Sequence, residues 1–361
     1  MKQDARIVFT TMFILLMTGV VMIYSSSAVY AYGQYGDSFF FVKKHLLYLL
    51  LGSILAVCCM AVHPRRIRSA ARWIMAAALG LLVMVLIPGI GSQISGARRW
   101  IRIIGLGFQP SEVAKFALII YMADFTARKR YQIGDLKRGF LPALSVVGLT
   151  GALILMEPDM GTSVAILFVG MIMLFVSGAD LRHLGAITFG MLPVLILAVI
   201  SEPYRMRRIL AFCDPWKDAR GAGFQLIQSF IALGSGGVLG VGLGASKQKL
   251  FYLPESHTDF IFSIVGEELG FLGTSSVLIL FAVMIWFSLR IALRTKELFA
   301  SRVVLGIAVL ISFEVIVNIG VSTGAFPTKG LPLPFISYGG SSLVCHLGAM
   351  GLLFNMARYE E

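Results

Sequence analysis

Of the 361 residues, 57% are apolar and 14% charged, and the mean hydropathy is +0.84. Soluble domains carry about 25% charged residues, so a water-soluble globule is excluded and lipid must act as part of the solvent. The net charge of +12 is dispersed with no long soluble basic stripe, which argues against nucleic acid as a partner and fits Lys and Arg holding loops on the cytoplasmic side, with an anionic ligand or lipid headgroup as the second reading.

The start, Met1 to Arg6 and the apolar run behind it, resembles a signal peptide. That run is about 20 residues long and many others follow, so it reads as an uncleaved first span. Apolar runs then recur at 45–62, 71–88, 112–127, 140–156, 162–178, 183–200, 259–289, 303–324 and 337–357, after the first at 8–28. Each approaches the roughly 20 residues that cross a hydrocarbon core as a helix. Backbone in lipid must bond internally, and no strand alternation suggests a barrel. The expected fold is an all-α polytopic membrane protein of about ten transmembrane helices, with 1–361 as one integral membrane domain. The eighth run is long enough to tilt or to extend beyond the bilayer.

If the spans alternate, one side collects Lys2, Arg6, Arg65, Arg66, Arg68, Arg72, Arg128, Lys129, Arg130, Lys137, Arg138, Arg182, Arg290, Arg294, Lys296, Arg302 and Arg358. Both termini are therefore expected in the cytoplasm. The outer side receives 89–111, 325–336 and one large extracytoplasmic loop, 201–258, between spans seven and eight. Phe224, Ile227, Gln228 and Ile231 in that loop predict a short interfacial or partly re-entrant helix. No internal repeat supports an inverted-repeat transporter. The glycines from Gly234 to Gly244 lack the spacing of a P-loop and read as a flexible loop. Cys58, Cys59, Cys213 and Cys345 show neither zinc-type spacing nor a disulfide framework.

Four motifs carry chemistry. In 253–270, Asp259 stands where the large loop enters span eight. One reading is structural, with Ser256 and Asp259 forming a capping box. The other is a carboxylate at the membrane boundary suited to proton abstraction, with Glu255 brought to the same face by a helical extension. Glu267 and Glu268 lie deeper, where charges need partners, and His257 reads as a loop histidine at the interface rather than a metal ligand. In 109–115, Pro110 suits a helix start, and Glu112 and Lys115 either tie helices together or help hold an anion. In 157–162, Asp159 caps span six, faces the cavity of Asp259, or does both. In 327–342, three prolines fix irregular backbone that needs protein or a watery cavity around it, and Lys329 is the best-placed cation.

At these residues the chain resembles the SEDS family of bacterial shape, elongation, division and sporulation proteins. The resemblance rests on Ala97-Arg-Arg-Trp100-Ile, Phe108-Gln-Pro-Ser-Glu112, Glu157-Pro-Asp-Met-Gly-Thr162, Gln225-Leu-Ile-Gln-Ser229, Phe251 to Gly270 and Gly330 to Ser342, in family order across most of the chain. Leu253 to Phe262 and Pro327-Thr-Lys-Gly-Leu331 look more like the division branch (FtsW-type, with its sporulation relative) than the RodA-type branch. The resemblance implies a peptidoglycan glycosyltransferase polymerising lipid II on the outer face of the cytoplasmic membrane, at the division septum. Its implied partners are a class B penicillin-binding protein and other division-complex membrane proteins. Asp259 matches the essential family aspartate. Arg98, Glu112, Lys115, Asp159 and Lys329 match further polar positions of the outer cavity, and Ser337 is grouped with them as substrate-binding.

The implied reaction needs a base for the acceptor hydroxyl, charge stabilisation for a departing diphosphate and a groove open to lipid. Asp259 is the candidate base, without need of a large pKa shift if the proton leaves late. Arg98, Lys115 and Lys329 are candidate diphosphate contacts. A divalent cation, Mg or Mn, is a candidate cofactor with Asp159 or Glu255 as ligands. A lipid II flippase and a non-catalytic division scaffold stand as alternatives. Glu314 and Asn318 are the obvious polar residues inside span nine and could serve a flippase or simply pair with another helix.

Overall fold

The computed structural model describes residues 2–94, 97–103, 106–250 and 252–358. Every expected span is present as a helix: α1 (Lys2–Tyr35), α2 (Phe40–Ala61), α3 (Pro64–Leu86), α4 (Pro110–Arg128), α5 (Leu141–Met156), α6 (Met160–Val176) and α7 (Leu181–Ile200), and then, beyond the large loop, α10 (Ile261–Arg294), α11 (Leu298–Ser322) and α12 (Gly340–Arg358). The large loop itself contributes α8 (Pro203–Cys213) and α9 (Phe224–Gly236). Eight of these segments are long and apolar enough to cross a membrane. Of the other two expected spans, α6 has 17 residues, and α4 carries Glu112, Lys115, Asp124 and Arg128.

Those charges are tolerable because they are paired. Lys115 bonds Glu112 at 3.0 Å and also Glu314 of α11, and Asp124 takes Arg128 at 2.9 Å and Arg68 of α3 at 3.3 Å. Proline stands in the first turn of α3, α4, α5 and α8, where its missing N–H costs nothing. Asp180 and Glu297 cap α7 and α11 through Arg182 N and Ala300 N.

Short turns make successive helices antiparallel, and the two ends of the bundle are tied separately. At one end Arg294 reaches Asp4 at 3.1 Å, Arg68 reaches Glu297 at 3.3 Å, and Asn355 donates to the carbonyls of Cys59 and Val62. The start of α1 and the end of α12 therefore share that end. At the other end the 89–111 segment is more than a loop. It folds into an antiparallel sheet, β1 (Ser92–Ile94), β2 (Ala97–Ile103) and β3 (Leu106–Phe108), in the order β1-β2-β3.

The helix expected in the large loop is present as α9, which buries Leu226, Ile227, Ser229 and Ala232 and packs on α10, while Ile231 is exposed. One expectation about the loop needs correction. The glycine-rich stretch is not a free loop. Helix α10 breaks at Gly270, whose φ is +66°, and 237–242 bonds across the break. Val241 N and Gly242 N donate to the carbonyls of Glu267 and Glu268, while Phe271 N and Leu272 N donate to those of Gly237 and Val238. Side chains below reinforce the seam. Lys249 pairs with Glu268 at 2.7 Å, Ser25 donates to the same carboxylate, and Glu267 accepts from Ser246 and from Lys247 N.

Candidate active site

A cavity of about 420 Å³ opens at the end that carries the sheet. The β2 strand, the α5–α6 turn, α8, the lead into α10 and the 327–330 segment all contribute walls. Four cations (Arg99, Arg205, Arg208, Lys329) and three carboxylates (Asp159, Glu255, Asp259) line it.

Asp259 owes its availability to where α10 begins. The helix starts at Ile261 behind Phe260, whose position has no side-chain cap, so the capping-box reading of Ser256 and Asp259 does not hold. Instead the Asp259 main-chain carbonyl is gripped by Asn318 Nδ2 at 2.9 Å, and the same amide holds Leu331 O at 2.8 Å. Ser337 Oγ donates to Thr258 O at 2.6 Å and accepts from Leu333 N at 2.8 Å. The backbone is thus pinned on both sides while the carboxyl stays free for the cavity. It lies so close under Gly330 that a Cβ there would stand 2.9 Å from Oδ2. Burial raises the Asp259 pKa to about 7, helped by the nearby charges of Glu255 and Asp159 and opposed by Arg208 and Arg99. The large shift departs from the sequence reading, which required none. Glu255 does line the same cavity, but from a left-handed turn with φ +56° rather than a helical extension.

Asp159 fulfils both of its readings. It caps α6 through Thr162 N at 3.2 Å, accepts from Thr162 Oγ1 and Gln109 Nε2, and also faces the cavity. Burial lowers the Lys329 pKa, and Asp159 counters this. Its neighbour Glu157 is fully buried at the α5 terminus, and burial with the Asp159 charge pushes its carboxyl up to about 8.

The expected site residues do not all assemble. Arg98 is exposed and outside the lining, because adjacent strand residues point to opposite faces; Arg99 is the one turned to the cavity, held by the carbonyls of Glu157 and Pro158. Glu112 and Lys115 are buried away from it, in a network with Glu314 and with His346, whose Nε2 meets Glu314 at 2.6 Å. Ser337 is buried and works on backbone. His257 sits in the loop before α10, among Phe41, Tyr30 and Tyr338. For a metal, Asp159 and Glu255 share the cavity, yet among the described residues no three His, Cys, Asp or Glu groups gather to hold an ion. Asp159 already spends its oxygens on Thr162 and Gln109.

The model of the family described as "Cell cycle protein", which spans FtsW, RodA and SpoVE, matches residues 5–361. The chain belongs to this family. It is 44% identical over 360 residues to stage V sporulation protein E of Bacillus subtilis, covering 100% of this chain and 98% of that protein. It is 45% identical over 339 residues to a probable peptidoglycan glycosyltransferase FtsW of Geobacter sulfurreducens, covering 94% and 91%. Among solved structures, a chain from a peptidoglycan synthase complex that coordinates polymerization and crosslinking superposes with a TM-score of 0.81 at 32% identity, covering 98% of each. Rod shape determining protein RodA of Thermus thermophilus gives 0.72 at 26% identity, covering 98% and 97%.

In this FtsW/RodA/SpoVE-family chain, sequence reasoning passed over Tyr204, Arg205 and Arg208. The signal was present: three residues at helical spacing in a segment opened by Pro203 put two cations and a ring on one side of α8. Arg208 stacks on Tyr204 at 4.4 Å and donates to Thr328 O at 3.1 Å, so its charge is held at the cavity wall.

Proposed function

We propose that this chain is a peptidoglycan glycosyltransferase, polymerising lipid II into glycan strands at the outer face of the cytoplasmic membrane during division. The observation that carries the reading is an uncapped carboxyl, Asp259, ionising at about 7 in a cavity with four cations. A base poised near the working pH is effective at taking a hydroxyl proton.

In the proposed reaction Asp259 accepts the proton of the acceptor sugar hydroxyl as its oxygen bonds the donor's anomeric carbon. The anomeric bond to the diphosphate breaks, and the lipid diphosphate leaves with the electron pair. Arg99, Arg205, Arg208 and Lys329 bear that negative charge. The arginines are held by main-chain carbonyls through one edge, which leaves their other N–H groups for phosphate oxygens. With the chain termini in the cytoplasm, the cavity faces outward, where the substrate headgroup would be presented.

The likeness to a chain of a peptidoglycan synthase complex supports a crosslinking class B penicillin-binding protein as partner. The relatives named FtsW support work at the septum. A flippase is less well supported, because the polar cavity lies at one end, while Glu314 and Asn318 within α11 are engaged by Lys115, His346, Asp259 O and Leu331 O. The test is lipid II polymerisation by purified protein with its partner. Asp259→Asn should abolish it while the protein keeps its melting temperature. Wild-type rates in that variant would overturn the assignment and favour a scaffold.

A further inference from the structure

Helix α8 has a cavity on each side. Its Tyr204, Arg205, Arg208 and Ile209 line the cavity of Asp259, and its Tyr204, Arg207 and Arg208 line a second one of about 300 Å³. Helical geometry accounts for the division. At about 100° per residue, Tyr204 and Arg208 stand about 40° apart on the crest, while Arg205 falls to one side and Arg207 to the other. The two chambers therefore meet along one ridge, and Gln225 and Thr328 also line both. Asp259 and Lys329 line the first chamber alone.

The second chamber offers donors that the protein itself does not use. Among the described residues, Arg207 has no hydrogen-bond or ion-pair partner, and the Gln225 side chain bonds to none. Arg208 is held on the ridge by its contact with the Tyr204 ring and its bond to Thr328 O. The start of α9, which no side chain caps, forms part of the wall through Ala222 and Gln225 and adds the positive end of a helix. The carboxylate in the lining, Asp218, accepts from Ala222 N at 2.9 Å, and a Cβ on Gly221 would collide with it, so it is folded back on its own turn. The chamber thus suits a singly charged anion better than a diphosphate, whose further charge would meet Asp218.

We propose that this second chamber binds a carboxylate of the substrate's peptide, with Arg207 as its contact and Arg208 shared between the two chambers. The inference rests on the glycosyltransferase reading above and adds a specificity-determining residue to it. Lipid II carries negative charge in two places: a diphosphate at its reacting end, and the carboxylates of the pentapeptide attached to its disaccharide. The bond that breaks joins sugar to diphosphate, so the donor diphosphate belongs in the chamber of Asp259 and Lys329. The peptide branches from the same sugar and needs a place within a sugar's length of that bond. A chamber across one helix ridge, with an unengaged guanidinium able to fork onto a carboxylate, supplies it. Gln225, which opens a motif the proposed reaction does not use, stands at the seam where the sugar would pass.

Binding is measured on the full-length Asp259→Asn chain in a neutral detergent, without the partner transpeptidase, whose own peptide site would compete. The probes lack lipid and diphosphate: the soluble disaccharide-pentapeptide, the same compound with its carboxylates amidated, and the bare disaccharide. The first should bind at least about tenfold more tightly than the other two, the scale of one charge-assisted contact. Arg207→Gln should erase that preference and leave the affinity for the bare disaccharide as it was. Arg207→Lys should keep part of the preference, and Arg220→Gln, outside the lining, should change nothing. In polymerisation by the complex with Asp259 intact, Arg207→Gln should raise KM for lipid II with kcat kept, a split that a merely structural role would not give. Equal binding of the probes, or a preference that survives Arg207→Gln, overturns the proposal. So does displacement by inorganic pyrophosphate with no effect of amidation, which would assign the chamber to a diphosphate. Turnover by Asp259→Asn with the peptide preference intact would instead defeat the base assignment and leave this site standing.

Discussion

Replacing Glu255 by Gln should move the acid limb of the rate profile to lower pH. The catalytic form of Asp259 is the carboxylate, so activity rises with pH through its pKa of about 7. Wild-type polymerisation should then be about half-maximal at pH 7 and about a tenth of maximal at pH 6. Raising this carboxyl from 3.8 to about 7 corresponds to roughly 4 kcal/mol against ionisation, at about 1.4 kcal/mol per tenfold. Burial is the larger cause and the Glu255 charge the next, so neutralising Glu255 should bring the limb down on the order of 1 pH unit. Conversely, Arg208→Gln should move the limb upward and also lower the plateau, since Arg208 holds the carboxylate's charge down and faces the proposed diphosphate. The assay is glycan-strand length and rate from lipid II between pH 5.5 and 9, with the partner transpeptidase present. A wild-type rate flat from pH 6 to 8, or a limb that stays put in Glu255→Gln, would refute the electrostatic account of the base.

Gly330→Ala should cut turnover by about tenfold to a hundredfold, because a Cβ 2.9 Å from Oδ2 forces the carboxyl aside; kinetics beside an unchanged melting curve checks it. Lys115→Met should destabilise by about 3–5 kcal/mol, leaving Glu112 and Glu314 buried without their cation, whereas Lys115→Met combined with Glu314→Gln should recover part of the loss in thermal denaturation. Asn318→Leu frees two buried carbonyls at about 1–3 kcal/mol each, and should lower both the melting temperature and the polymerisation rate.

The spans were legible because lipid admits few backbone solutions, and long apolar runs announce them directly. Asp159 and Lys329 were legible for a related reason: a charged residue beside a span must have a use or a partner. What sequence spacing could not separate was Arg98 from Arg99, since the choice depends on the phase of a three-stranded sheet that hydropathy does not reveal. Nor could it place Lys115, whose partner Glu314 lies 199 residues along the chain. The α8 cations were hidden for another reason. A long polar-looking segment gives no hint that one helical face will close a cavity made by six separate stretches of chain.

The break at Gly270 also sets the grammar of the segment opposite it. Residues 237–242 read as slack tether by composition, yet four main-chain bonds fix their register against the two halves of α10. Inserting or deleting a single residue there would shift the alignment and strand several polar groups in an apolar setting. This is a splice of fixed length, and the half-helix that begins beside Asp259 is fastened to the rest of the protein through it.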